Sequence, residues 1–207
     1  MFKTLGLISL ALLLSTTQVR AEVKLTRPQI IIDQAASTIT MISTTGQTKV
    51  MPVMTGMKRY ALIPGDYKVK FMAPCKEQGG RCKTFEDGMF RPQDKYLVSN
   101  LGAWGNPNSG VMNPIFFEAN DQKLNAKMAK QLKGNFIPAI HSQIVRKDKK
   151  GNWSKPDNLL QEATTHGCVR SNSTNGVDGD LGEIFTFVHM SYQSGNPVQI
   201  IVRGLPR

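Results

Sequence analysis

The sequence predicts a mostly β fold, a sandwich or barrel of short strands with one late α-helix packed on it. Three observations carry that expectation. Short runs rich in β-branched residues recur along the chain, several with polar and apolar residues alternating. Glycine, proline, asparagine and aspartate punctuate the intervals. Only two segments show helical spacing, and the stronger lies near the end.

"QIIIDQAASTITMIS" contributes two strands, Gln29–Asp33 and Thr38–Ser43. "TKVMPVMTG" is the next. The turn Pro64-Gly65-Asp66 then opens "GDYKVKFMA", where Tyr67, Val69 and Phe71 alternate with polar or charged partners. From Asn120 to Leu132, the fourfold spacing of Leu124, Met128 and Leu132 predicts a surface helix. The late helix runs from Leu181, with Asp180 and Glu183 in a capping-box pattern and Gly195 as its stop. Leu181, Ile184, Phe185 and Val188 share one face, and His189 lies beside it as a core or rim histidine. After Gly195-Asn196-Pro197, "PVQIIV" is a last strand. Gly102–Asn113 and Lys147–Asp157 read as loops, placed to form walls of a site.

Met1-Phe2-Lys3, the apolar run Leu5–Leu14 and the small-residue end Val19-Arg20-Ala21 predict a signal peptide over residues 1–21. Residues 22–207 are then a single domain, long enough for a real core. About ten apolar residues are too few to span a bilayer, and no later segment is apolar enough, so no membrane span is expected after cleavage. The net charge is +11, lowered by two when Lys3 and Arg20 leave with the signal. Such a cation is drawn to anionic envelope polymers. Nucleic acid is not the expected partner, because the basic residues are scattered, with a dense run only at Arg146–Lys150, and export argues against it.

The chain has three cysteines, an odd count for an oxidising compartment. Cys75 and Cys82 flank a polar stretch centred on Gly79-Gly80, and a disulfide between them is expected. Cys168 is left over, within "TTHGCVRSNS". It is either a small apolar filler or a nucleophile in surroundings that lower its pKa.

Thiol catalysis needs a nucleophile, a base, an orienting group and oxyanion donors. Cys168 is the candidate nucleophile, and His141, following Ile140 at the end of a strand, the candidate base. Gly167 permits a sharp turn that aims backbone amides at developing charge. Arg170 adds a fixed cation that favours thiolate or binds a substrate carboxylate. The rival is a zinc site from His141, His166, Cys168 and His189, but His-x-Cys is a poor chelating spacing, so no metal is expected. A purely structural cluster is the other alternative. No cofactor is expected.

His141-Ser142, followed after a spacer by Thr165-His166-Gly167-Cys168 and Val169-Arg170, resembles the signature of the L,D-transpeptidase (YkuD-type) catalytic domain. "VMPVMTG", "IPGDYKV" and "GEIFTFVHMSYQSGNPVQIIV" look like further segments of that family, so the likeness runs from about Gln29 to Val202. It implies a Cys168 acyl-enzyme with peptidoglycan stem tetrapeptides, release of D-alanine and transfer to an amine. It also implies that His141 is the base, that the Ser142 carbonyl holds its tautomer, and that amides around His166, Gly167 and Cys168 form an oxyanion hole. His166 would line the site and Arg170 would bind substrate. The chain departs from the pattern in its long basic spacer, in Arg170 where asparagine is common, and in the extra "CKEQGGRC". Other readings are an L,D-carboxypeptidase or muropeptide hydrolase, a sortase-like transpeptidase, and a non-catalytic basic cell-wall-binding protein. Papain-like proteases run cysteine before histidine, the reverse of this order.

Overall fold

The computed structural model describes residues 25–56, 58–72, 98–100, 109–112, 114–132, 137–142, 144–146, 148–150, 167–171 and 179–206. In chain order these form β1 (Gln29–Asp33), β2 (Thr38–Ile42), β3 (Thr48–Met54), β4 (Gly65–Met72), β5 (Val98–Asn100), β6 (Ser109–Met112) and β7 (Ile115–Ala119). Helix α1 (Gln122–Gln131), β8 (Ala139–His141), β9 (Ile144–Arg146), β10 (Val169–Ser171), helix α2 (Asp180–Gln193) and β11 (Gln199–Arg203) follow.

Eight strands close into a barrel in the order β1-β11-β4-β7-β8-β10-β3-β2. The seam joins the two ends of the described chain, with β1 and β11 parallel and Ile30 beside Ile200. Period-two patterning explains the core: Ile30 and Ile32, Ile39 and Met41, Ile115 and Phe117, and Ile200 and Val202 are buried while their strand neighbours are not. Each such side chain contributes about 1.5–3 kcal/mol when fully buried. Tyr67 meets Phe117 edge-to-face, with centroids 5.6 Å apart. From α2, Leu181, Ile184, Phe185 and Val188 join the same core.

Two polar clamps set the geometry. Gln34, buried beyond the end of β1, accepts from Leu62 N at 2.8 Å and donates to Leu62 O and Gly204 O at 2.9 Å each. Asn125 of α1 pairs with both backbone groups of Ala119 at 2.8 Å, fastening the helix to β7. Asp121 caps α1 by accepting from Lys123 N at 2.9 Å.

The structure revises two expectations. Gly179, not Asp180, is the N-cap of α2, and no side chain caps it. Asp180 and Glu183 lie in the first turn, where their charge favours the helix dipole, and Glu183 pairs with Lys49 of β3. The stretch Gly102–Asn113 is not all loop: Ser109–Met112 forms β6, which lies between β5 and β9 in a separate three-stranded sheet. Of the basic loop Lys147–Asp157, only 148–150 are described, as a turn in which Lys150 N donates to Asp148 Oδ1 at 2.8 Å. The expected signal segment 1–21 and both Cys75 and Cys82 lie outside the described residues. No helix among the described residues is long and apolar enough to cross a membrane.

Candidate active site

Strand β10 lies between two partners. It runs parallel to β8, with Val169 beside Ile140 and Arg170 beside His141, and antiparallel to β3, with Arg170 beside Met54. Val169 and Ile140 are fully buried and point into the core. By alternation Arg170 and His141 share the other face, and Cys168, two residues before Arg170, joins them there. Residues more than twenty positions apart in sequence are thus diagonal neighbours across one strand pair. Strand spacing and rise put such positions about 8 Å apart at Cα, within reach of two side chains.

The imidazole of His141 is held by its own strand end. Its Nδ1 lies 2.5 Å from the Ser142 carbonyl oxygen. A carbonyl only accepts, so Nδ1 carries the proton and Nε2 is left with the lone pair. Burial drives the His141 pKa down to about 4; the Ser142 carbonyl pulls it up, and the Arg170 charge pushes it further down. The ring is neutral across the physiological range.

Cys168 carries its sulfur as a thiol and is 9% exposed. Burial pushes its pKa up to about 12, against the Ala139 amide and the Arg170 charge, both of which favour thiolate. This corrects the expectation of a lowered pKa. Arg170 acts in the expected direction, but desolvation outweighs it. Burial thus favours the uncharged form of each group, thiol for Cys168 and neutral imidazole for His141.

Gly167 precedes Cys168 with φ of +90°, a conformation that L side chains rarely adopt. Glycine is therefore required for the turn that presents Cys168. His166 lies outside the described residues. His189 is buried on α2, where desolvation lowers its pKa, among residues that join the core. Among the described residues, no three His, Cys, Asp or Glu side chains gather as a metal site. A cavity of about 530 Å³ opens elsewhere, between α2 and β4–β11, with Tyr67, Val188 and Tyr192 among its walls. It holds no thiol, imidazole or carboxylate, and its strands lie three and four places round the barrel from β10.

Sequence reasoning gave no role to Ala139, Gly56 or Leu132. "VMTG" signalled the Gly56 strand end, but only the barrel shows that the chain after β3 runs against the Gly167 turn. Ala139 has no signal of its own.

No protein-family model and no curated protein matches the chain. Solved structures similar to it include an L,D-transpeptidase (Yku) from Stackebrandtia nassauensis, 11% identical with a TM-score of 0.45, over 92% of this chain and 62% of that one. L,D-transpeptidase 3 from Mycobacterium tuberculosis is 12% identical with a TM-score of 0.38, over 86% of this chain and 61% of that one. The same enzyme with a faropenem-derived adduct gives 0.36. The chain therefore spans about 62% of the length of the first of these structures. The solved structures this chain is similar to are L,D-transpeptidases, at identities that leave its chemistry to be argued from the site itself.

Proposed function

We propose that this chain is an exported cysteine acyltransferase of the L,D-transpeptidase type, acting on peptidoglycan stem tetrapeptides. The observation that carries the reading is the bond from His141 Nδ1 to the Ser142 carbonyl, on a strand in register with the one that follows Cys168. It leaves Nε2 of His141 with its lone pair on the strand face that Cys168 shares, as nucleophilic catalysis needs. The basic charge and the apolar N-terminal run agree with a substrate in an anionic envelope.

In this reading Cys168 Sγ attacks the carbonyl carbon between the third stem residue and the terminal D-alanine. His141 Nε2 takes the thiol proton as the S–C bond forms. Because the resting pair is neutral, this transfer accompanies the attack and does not precede it. Amides of the Gly167 turn face the developing oxyanion. The C–N bond then breaks, the imidazolium returns its proton to the leaving amine, and a Cys168 thioester remains. An acceptor amine attacks the thioester, passes its proton to His141, and forms the new amide as the thiolate departs. Thiolate and imidazolium then restore thiol and imidazole. Arg170 supplies positive charge beside each anionic stage and is the candidate contact for a substrate carboxylate.

Incubation with tetrapeptide muropeptides tests the reading. The expected products are free D-alanine and an amide-linked dimer; Cys168→Ala yields neither. Release of D-alanine without a dimer, even with added amine acceptor, makes water the acceptor and the protein a carboxypeptidase. Absence of both products with wild type defeats the proposal.

A further inference from the structure

The Gly167 turn is gripped from two elements. A Cβ placed on Gly167 would meet Leu132 Cδ2 at 2.7 Å and Cδ1 at 3.0 Å, so the leucine methyls already rest against this backbone. A Cβ on Gly56 would meet Tyr60 O at 2.7 Å and Gly167 N at 3.2 Å. A side chain at Gly56 is thus blocked by the Tyr60 carbonyl, and it would also press on the Gly167 peptide and push it by a few tenths of an ångström. The antiparallel pairing of β3 and β10 ends with Arg170 beside Met54, and beyond it the two chains run on to the contact of Gly56 with Gly167.

Both elements are anchored to the barrel by contacts of their own. Leu132 is the C-cap of α1, its N–H donating to Met128 O at 2.9 Å. The helix is tied to the barrel by Asn125 on Ala119, by Gln131 Nε2 on Ala61 O at 2.5 Å, and by Ile63 N on Met128 Sδ at 3.3 Å. On the other side, Gly56 follows β3, which pairs with β2 over Thr48–Pro52 and with β10 at Val53 and Met54.

We propose that Gly56 and Leu132 are positioning residues that hold the Gly167 peptide, and with it the aim of the turn's amides, in the geometry acyl transfer requires. The inference rests on the acyl-transfer reading. Stabilising an oxyanion needs donors aimed to within tenths of an ångström, whereas plain thiol nucleophilicity does not. The two residues therefore act on acylation and leave the reactivity of the sulfur alone.

Two probes of Cys168 separate these effects. A carbapenem acylates: its lactam carbonyl passes through an oxyanion, the ring C–N bond opens and a thioester forms. Iodoacetamide alkylates: the S–C bond forms as iodide leaves, and no oxyanion arises. Rates of both are measured by intact mass for wild type, Gly56→Ala, Leu132→Ala and Leu132→Met. Acylation is expected to fall roughly 10- to 100-fold in Gly56→Ala and Leu132→Ala, the scale of a displaced oxyanion donor. Alkylation should stay within about threefold, since the sulfur's surroundings are kept, and Leu132→Met should recover most of the acylation rate.

Variants that acylate like wild type overturn the proposal. So does a parallel fall of both reactions in all variants, which marks general damage to the site. A variant that unfolds betrays itself by alkylating faster than wild type, and the leucine pair then decides. Wild type that is alkylated but never acylated overturns the acyl-transfer reading and this inference together.

Discussion

Arg170 stands beside His141 on the neighbouring parallel strand, so every proton placed on the imidazole is placed next to a guanidinium. The same charge lowers the pKa of Cys168. One cation thus favours the unprotonated form of both partners. It makes the imidazole a weaker base and the thiol a stronger acid, two effects that oppose each other in any proton transfer between them.

Replacing Arg170 by Gln is expected to raise both pKa values. The His141 ring, held down to about 4, moves toward its ordinary value, and the thiol, already pushed up to about 12, rises further. NMR titration of His141 reads the first shift. The acid limb of acylation moves to higher pH with it. An unmoved His141 titration contradicts the electrostatic coupling.

Cys168 in the free protein should alkylate as a high-pKa thiol. Its rate with iodoacetamide climbs about tenfold per pH unit and is still rising at pH 10, because the thiolate fraction is far from saturated. A plateau below pH 7 reveals a preformed thiolate–imidazolium pair and refutes the neutral resting state.

Acid should destabilise the fold through His141. The unfolded ring takes up a proton near 6.5, while the folded ring resists until about 4. In the intervening window the unfolded chain binds more protons, so stability falls as pH drops from about 6.5 to 4, by up to about 3 kcal/mol. Urea unfolding of wild type and His141→Gln at pH 7 and pH 4 checks this. The variant is expected to lose less on acidification, and an equal loss excludes His141 as the source.

Gln34→Ala removes a side chain whose amide satisfies Leu62 N, Leu62 O and Gly204 O. Stranding these backbone groups should cost on the order of 3 kcal/mol, with acylation by a carbapenem unchanged in the folded fraction. Thermal unfolding measures it; a variant as stable as wild type denies the clamp its role.

Much of the barrel was legible because alternation is local. Gln29–Asp33 forms β1 as expected, Thr38–Ser43 shortens only to Ile42, and the expected helices at Asn120–Leu132 and from Leu181 appear as α1 and α2. The short strands near the site were not legible. Val169–Ser171 is three residues long and follows Gly167-Cys168, so nothing local marks it as a strand; its partners β3 and β8 create it. The β5-β6-β9 sheet escaped for the same reason, since Ser109–Met112 follows a run of glycine and asparagine that reads as a loop. The sequence named His141, Ser142 and Cys168 as candidates, and the fold sets His141 against the Ser142 carbonyl on the strand beside β10. The direction of the thiol's pKa was not legible, because it depends on burial by strands distant in sequence.

The most direct test of the account is intact mass spectrometry of the protein incubated with a carbapenem, with the adduct mapped by peptide digestion. The expected result is a single adduct on Cys168, absent from Cys168→Ala and slowed by at least about 100-fold in His141→Ala, the usual scale for loss of a general base. An adduct on another residue, or one that forms at an undiminished rate without His141, contradicts the central claim that this imidazole activates this thiol.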